Sequence, residues 1–408
     1  MKSKPFLSIM LLFVLVNIPF LSSVWASSVM WSRSYGGADT DYAEAVIQTS
    51  DGGYALAGSS QSFGAGKSEF WLVKTDSLGK MEWNQTYGHT LASSVLQTGD
   101  GGYIIGGFDS EGAKLVKTDS SGNMEWTKNY GGGESVNSMI QTSDGGYALA
   151  GMTGFDSVYA TDFWFAKTDA LGNMQWNRTY DWTTTEWVNS VIQTSDGGYA
   201  LIGVTTLGGG MTHWKLVKTD SEGNMEWNKG YGSVDKDEGH AVFQTDDGGY
   251  MLGGWMWSRS NGGGPTFALV KTDSVGNMIW NKTYDGGTAW SMVQTSDGGY
   301  ALAGAVKLVK TDSEGNMQWS QIYSRHDSFN SVIQTSDGGY ALAGTIILLV
   351  DDIPYDNDAW LIKTDSEGII PEFPSWTQLL IMLVAVMAVA VVYRHNLNKQ
   401  GQGRFDVI

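Results

Sequence analysis

The sequence predicts an all-β fold, a seven-bladed β-propeller of four-stranded antiparallel blades that an N-terminal strand closes into a ring. Two phrases, Gln-Thr-x-Asp-Gly-Gly-Tyr and Lys-Thr-Asp, each occur seven times, and the tyrosines of the first phrase are 40 to 52 residues apart. A third feature, a Trp seven residues after the Lys-Thr-Asp aspartate, occurs six times. A repeat of this length indicates a stacked or radial array of small units.

Each repeat contains four short segments with the character of β-strands. In the first repeat these segments are 45–49, 54–58, 70–75 and 81–87. Asp51-Gly52 is a hairpin signal because glycine adopts positive φ without strain. Asp76 and Gly79 are typical of a tight turn between the last two strands. Because no helical period separates the strands, the units are expected to be antiparallel sheets, and four-stranded units repeated radially form a propeller.

The position of Trp31 predicts how the ring closes. The seventh repeat lacks its Trp and its fourth strand, whereas Trp31 lies before the first repeat. Residues 31–35 are therefore expected to pair with residues 358–364, which leaves no open sheet edge. An open solenoid would instead need capping repeats, and the sequence contains none.

Composition excludes several classes of function. The 408 residues carry a formal net charge of -18 and include no cysteine. A nucleic-acid-binding protein needs a basic surface, so nucleic acid is not an expected partner. Disulfides, thiolate catalysis and cysteine-ligated metals are excluded because they require cysteine.

The two ends of the chain predict export and membrane anchoring. Residues 1–26 read as a signal peptide cleaved after Ala26, with an uncleaved anchor as the alternative. The propeller is expected over 27–368 and a linker over 369–375. Residues 376–393 are long and apolar enough for one transmembrane helix. The basic residues of the tail 394–408 predict a cytoplasmic C-terminus, which puts the propeller outside the cell.

The segment before that helix resembles a known sorting signal. Pro371, Glu372, Phe373 and Pro374, followed by an apolar helix and basic residues, are similar to the PEF-type signals of archaeal cell-surface proteins. The resemblance implies an archaeosortase as a partner. Residues 396–408 continue past the basic cluster, which departs from the family pattern, so a plain membrane anchor is the alternative.

The repeats resemble archaeal and bacterial surface propellers built of Asp-Gly-Gly-Tyr-Ala-Leu-Ala-Gly units. They are also loosely similar to quinoprotein propellers, in which Gly-x-x-x-Trp places an indole between blades, a spacing shared by Gly79 and Trp83. The Asp-box of sialidases has a different order. None of these resemblances supplies catalytic residues, so no enzyme activity is predicted.

Binding is expected where the repeats differ. The loops between second and third strands and the links between blades vary, and both lie on one face of a propeller. Rigid scaffolds commonly carry binding groups on such loops. The proposed ligand-binding aromatics are Trp182, Trp187, Trp255, Trp257 and Tyr355, together with Phe155 and Tyr159. The alternative is that these loops only pack on one another.

Five acidic residues stand seven positions before the repeat Gln: Asp41, Glu134, Glu186, Asp237 and Asp327. Such a ring of carboxylates at the channel mouth would suit Ca²⁺ or a cationic ligand, since hard cations take oxygen ligands. The alternative is a hydrogen bond or salt bridge at the start of each inner strand. No other cofactor is predicted.

The sequence as a whole predicts a membrane-anchored extracellular propeller that binds a glycan or a protein at the cell surface. A purely structural envelope protein is one alternative, and a glycan-acting hydrolase is a less favoured one. Three N-glycosylation sequons, at Asn84, Asn177 and Asn281, are consistent with export.

Overall fold

A computed structural model describes residues 30–370 except 66, 90, 155–160, 183–184, 208, 233–234, 259–262, 285, 324–326 and 351–352. The side chains of 348–350 and 353–355 also lie outside this description. The predicted signal peptide 1–26, the predicted sorting motif Pro371–Pro374, the apolar segment 376–393 and the tail 394–408 are outside the described residues. Phe155 and Tyr159 are as well. In the described part, no helix is long and apolar enough to cross a bilayer.

Twenty-eight strands are present in the described part of the chain. The first blade contains β2 Asp41–Gln48, β3 Tyr54–Ser60, β4 Glu69–Thr75 and β5 Met81–His89. The next three blades are β6 Leu91–Gln97, β7 Tyr103–Asp109, β8 Gly112–Thr118 and β9 Met124–Asn129; β10 Ser135–Gln141, β11 Tyr147–Met152, β12 Phe163–Thr168 and β13 Met174–Tyr180; and β14 Glu186–Gln193, β15 Tyr199–Leu207, β16 Met211–Thr219 and β17 Met225–Tyr231. The last three are β18 Asp237–Gln244, β19 Tyr250–Ser258, β20 Gly264–Thr272 and β21 Met278–Tyr284; β22 Ala289–Gln294, β23 Tyr300–Gly304, β24 Lys307–Thr311 and β25 Met317–Ile322; and β26 Ser328–Gln334, β27 Tyr340–Val350 and β28 Ile353–Thr364 with β1 Trp31–Tyr35.

These strands form seven four-stranded antiparallel sheets, which confirms the predicted architecture. The seventh sheet has the order β1-β28-β27-β26, so its outer strand comes from the beginning of the chain. Trp31 pairs with Lys363 and Tyr35 with Ala359. The predicted closure through residues 31–35 is thus confirmed.

The hydrophobic core lies between the blades. Second and third strands are buried along almost their whole length, as in β3 and β4. Six clusters of buried side chains each combine residues from two neighbouring sheets. The ring is therefore stabilised by burial of apolar surface between sheets, and each blade depends on its neighbours.

The repeated polar residues form ion pairs and hydrogen bonds within each blade. The lysine of every Lys-Thr-Asp phrase forms an ion pair of 2.8–2.9 Å with the aspartate of the Asp-Gly-Gly turn, for example Lys167 with Asp144. The second aspartate supports the other turn, since Asp76 Oδ1 accepts from the N–H groups of Leu78 and Lys80. This is the turn role that the sequence predicts for that aspartate.

The repeated aromatics fasten each blade to the next. Trp83 lies over Gly122 in the turn of the following blade, and the Tyr87 hydroxyl donates to the Gly122 carbonyl at 2.7 Å. The same Trp–Gly–Tyr arrangement occurs at all seven blade junctions, with Tyr–Gly distances of 2.5–2.8 Å. At the ring closure, Trp31 lies over Gly79. The glycine beneath each Trp is therefore in the following blade, and the indole nearest to Gly79 is that of Trp31.

The Asp-Gly-Gly aspartates make stability sensitive to acid. Hydrogen bonds from Lys167 and Thr142 lower the pKa of Asp144 to about 2. A carboxyl with a depressed folded pKa stabilises above its unfolded pKa of about 4 and loses that contribution as the pH falls toward its folded pKa. We therefore expect urea unfolding midpoints to drop between about pH 4 and pH 2. Asp144→Asn should lower the urea midpoint at pH 7, and the midpoint of this variant should fall less between about pH 4 and pH 2 than that of the unchanged protein. An equal fall in both proteins would contradict this.

Candidate functional site

The two faces of the propeller differ in the way that the repeats predict. One face carries the uniform turns, such as 51–53 and 76–80. The other, called the variable face here, carries the loops between second and third strands and the links between blades, such as 110–111 and 130–134. Side chains that differ between repeats, and could therefore bind a ligand, are expected on the variable face and in the channel.

A β-bulge in every innermost strand determines what lines the channel. In β2 the pairing register shifts between Ala43 and Ala45, and the other six inner strands shift at the equivalent place. A bulge leaves one residue unpaired and re-aims its side chain. The seven bulge residues surround a cavity of about 210 Å³ and are called the channel ring: Glu44, Ser93, Asn137, Asn189, His240, Trp290 and Asn330.

Hydrogen bonds run around the channel ring from blade to blade. Asn137 Nδ2 donates to the Val188 carbonyl at 2.9 Å, and Asn189 Nδ2 donates to the Gly239 carbonyl at 2.8 Å. Asn330 Nδ2 donates to the Ala43 carbonyl at 3.1 Å, and the Ser93 hydroxyl donates to the Val136 carbonyl. Each acceptor precedes the bulge of the next blade, so these side chains are fixed by the scaffold.

His240 and Trp290 occupy adjacent places in the channel ring. Their ring centroids are 4.9 Å apart and the planes cross at 80°, an edge-to-face contact. His240 Nε2 lies 3.3 Å from Glu238 Oε2. Glu44 Oε2 accepts from Asn330 Nδ2 at 3.0 Å. The ring thus combines a carboxylate, an imidazole, an indole and three amides around one small cavity.

Sequence reasoning missed the channel ring, although a signal exists. The ring residues stand four positions before the repeat Gln, and this position carries five residue types in the seven repeats. The buried positions on either side of it, Ala43 and Val46, are three residues apart instead of the two that a regular strand requires. That spacing, read in all seven repeats, indicates the bulge.

A groove lies between the fourth and fifth blades, at the rim. It has a volume of about 740 Å³, and its lining includes Lys229, Tyr231, Asp235, Trp257, Asn277 and Asn281. Trp257 is half-buried, at the end of β19 where this strand meets the variable face. The groove is called the rim groove here, and its lining combines an aromatic ring with amide, hydroxyl and charged groups.

The other predicted aromatics are placed differently. Trp255 is 6% exposed, so it is part of the core and not an exposed contact. Trp182 is half-buried, stacked 6.1 Å from Tyr180 and beneath the Lys215 ammonium at 4.6 Å. Trp187 is half-buried in β14 opposite Val204. The backbone of Tyr355 is in β28, and its side chain is outside the described residues.

The five predicted acids lie at the starts of inner strands, and none lines the channel cavity. Asp41, Glu186 and Asp237 are fully buried. Asp41 Oδ2 accepts from the Gly37 N–H at 3.0 Å, and Asp237 Oδ1 accepts from the Trp257 N–H at 2.8 Å. These contacts correspond to the strand-start hydrogen bond that the sequence left open as the alternative to a cation ring.

The other predicted acids also lie at strand starts and do not form a ring. Asp327 Oδ1 accepts from the Ile347 N–H at 2.9 Å, and Glu134 Oε2 is a buried atom without a hydrogen-bond partner among the described residues. Glu186 comes together with two acids that the sequence did not single out, Asp162 and Asp181, with oxygens within 4.8 Å of one another. Burial and the neighbouring Asp181 carboxylate raise the pKa of Asp162. The structure thus replaces the predicted five-membered ring by one local group of three carboxylates in the described chain.

Comparison with known proteins supports the fold. No protein-family model matches the chain, and a search of curated proteins finds no match. Among solved structures, the WD40 β-propeller domain of Doa1 is 13% identical with a TM-score of 0.55, covering 82% of this chain and 96% of that chain. Sqt1 from Chaetomium thermophilum is 12% identical with a TM-score of 0.52, covering 77% and 82%. A streptogramin B lyase structure is 10% identical with a TM-score of 0.50, covering 82% and 98%. At these identities the likeness concerns the propeller fold alone.

Proposed function

We propose that this protein is a binding propeller of the cell surface that holds a glycan in the rim groove. The observation that supports the proposal is Trp257, a half-buried indole in the wall of a groove of about 740 Å³. A sugar ring offers an apolar face that stacks on an indole, while its hydroxyls hydrogen-bond to amides and charged groups. Ser258 and Asp235, at the same end of the groove as Trp257, contribute a hydroxyl and a carboxylate to its lining.

Replacing Trp257 with Ala should weaken glycan binding at least tenfold, because the stacking surface is lost while the core between the blades is retained. The measurement is a glycan array followed by calorimetric titration of the retained sugars. Trp187→Ala is the matched control, since it removes a half-buried Trp of the variable face that does not line the groove. Equal array signals for Trp257→Ala and the unchanged protein would overturn the proposal.

Export and anchoring belong to the same proposal. The apolar segments 1–26 and 376–393, together with the basic tail, support an extracellular propeller held by one C-terminal helix. The sequence resemblance of residues 371–374 supports processing by a sorting enzyme. A binding surface on such a propeller would face the outside of the cell.

The sequons differ in accessibility, and this gives the exported protein a definite glycosylation pattern. Asn177 and Asn281 are exposed, whereas Asn84 is half-buried and accepts from Trp71 Nε1 at 3.2 Å. We expect native protein to carry glycan at Asn177 and Asn281 and none at Asn84, measured by intact mass and peptide mapping. Absence of glycan mass at all three would refute the glycosylation claim. Asn281 lines the rim groove, so a glycan attached there would lie in the proposed binding site. The unchanged protein, Trp257→Ala and Trp187→Ala should therefore all be measured with Asn281→Gln added.

A further inference from the structure

The channel ring offers amide oxygens as acceptors among the residues that line its cavity. The Nδ2 groups of Asn137, Asn189 and Asn330 each donate to a backbone carbonyl of the next blade. Each Nδ2 carries two N–H groups: Asn330 donates its second one to Glu44 Oε2 at 3.0 Å, whereas Asn137 and Asn189 donate once each among the described contacts. The amide oxygens of these three residues remain, and the Asn137 oxygen accepts from the Ser135 hydroxyl at 3.1 Å. A carbonyl oxygen has two acceptor sites, so all three can still accept a hydrogen bond from a ligand N–H.

Glu44 adds the single carboxylate of the channel ring. Its described partner is Asn330, and no ion pair with Lys, Arg or His involves it in the described chain. Burial raises the pKa of Glu44, and the hydrogen bond from Asn330 opposes this shift. A half-buried carboxylate without a cationic partner is stabilised by any cation that enters beside it.

Trp290 adds an aromatic surface to the same cavity. It is half-buried and lies against His240, whose own polar partner is Glu238. Aromatic faces attract cations, and indole is the strongest of the aromatic side chains in this respect. A carboxylate and an indole in one small cavity are the recognition elements for alkylated ammonium groups.

We propose that the channel ring is a binding site for a small organic ammonium ion, with Glu44 supplying the charge, Trp290 the aromatic surface and the Asn oxygens hydrogen bonds to any N–H. The cavity of about 210 Å³ fits a ligand of a few heavy atoms. A monovalent ammonium is neutralised by one carboxylate, whereas a divalent metal ion takes six or more oxygens and two negative charges. This site is separate from the rim groove and does not depend on it.

The test is calorimetric titration of the full-length protein with tetramethylammonium and methylammonium. Tert-butyl alcohol, of similar shape and without charge, serves as the neutral probe, and CaCl₂ as the metal. We expect both ammonium ions to bind, the neutral probe and Ca²⁺ not to compete with them, and Glu44→Gln to weaken ammonium binding at least tenfold. Glu134→Gln is the matched control, because it removes one acid of an inner-strand start outside the channel ring and should leave the affinity unchanged.

Three outcomes would overturn the proposal: no ammonium binding by the unchanged protein, equal binding of the neutral probe, or equal losses in Glu44→Gln and Glu134→Gln. If Glu44→Gln lowers the melting temperature, Trp290→Leu decides, since it keeps the carboxylate and should weaken tetramethylammonium more than methylammonium. Equal affinity of both ions for Trp290→Leu and the unchanged protein would count against the site. Trp257→Ala should not change ammonium binding, so the proposals for the rim groove and for the channel ring are tested independently.

Discussion

Replacing Trp31 with Ala is expected to lower the free energy of unfolding by about 3–5 kcal/mol, the range for removing a buried aromatic side chain. Trp31 is 6% exposed, lies over Gly79 and contacts Tyr54 edge-to-face at 5.6 Å. Its strand provides the outer edge of the seventh blade, so the cavity left by the truncation opens where the ring closes. The measurement is equilibrium unfolding in urea.

Arg33→Ala is the control for this variant. Arg33 lies in the same strand with its side chain exposed, and its removal should change stability by less than about 0.5 kcal/mol. Deleting residues 30–36 should cost more than Trp31→Ala, because the edge of β28 is then also left unpaired. If Trp31→Ala and Arg33→Ala unfold at the same urea concentration, the ring does not depend on this strand.

The second large effect concerns the turn glycine beneath each Trp. A Cβ added to Gly223 would lie 2.7 Å from the Trp176 ring, and Gly223 has a φ of 75°. Gly223→Ala therefore combines backbone strain with overpacking and should cost roughly 3 kcal/mol. The indole is held between two blades, so it cannot move away at low cost.

Gly197→Ala separates the two contributions. Gly197 belongs to the same blade and has a φ of 86°, but a Cβ there meets nothing within 4 Å. Its cost should be about 1 kcal/mol from backbone strain alone. The difference between the two variants measures the clash at the blade junction. Equal unfolding midpoints for both would show that Trp176 does not pack tightly on the turn.

The scaffold could be predicted from the sequence because its interactions repeat. Each strand and turn could be assigned from seven copies of the same phrase, which resolves positions that a single copy leaves ambiguous. The displaced Trp31 indicated directly where the ring closes. The tyrosine four residues after each Trp was also available in the sequence, but its hydroxyl partner is a backbone carbonyl in the next blade. Every residue has a backbone carbonyl, so the acceptor cannot be identified from the sequence and this contact required the structure.

The candidate site was less predictable for a geometric reason. Strand alternation assigns Asp41 and Glu44 to opposite faces, and the bulge between Ala43 and Ala45 then changes the alternation. The acids seven positions before the Gln therefore stay at the starts of the inner strands, where Asp41, Asp237 and Asp327 accept backbone hydrogen bonds, while the residues four positions before the Gln line the channel. Exposure could not be predicted for Trp255 either, because its burial depends on packing that the sequence pattern does not show.

The seam through β1 has a kinetic consequence. Contacts between neighbouring blades join parts of the chain about 50 residues apart, so they can form while the chain is being synthesised. Pairing β1 with β28 instead closes a loop of about 330 residues, at an entropic cost of roughly 5 kcal/mol. Such a high-contact-order step is slow. Until it occurs, a partly assembled ring exposes the edge of β28 to other chains, so the interval before closure is when misassembly of this propeller should be most frequent.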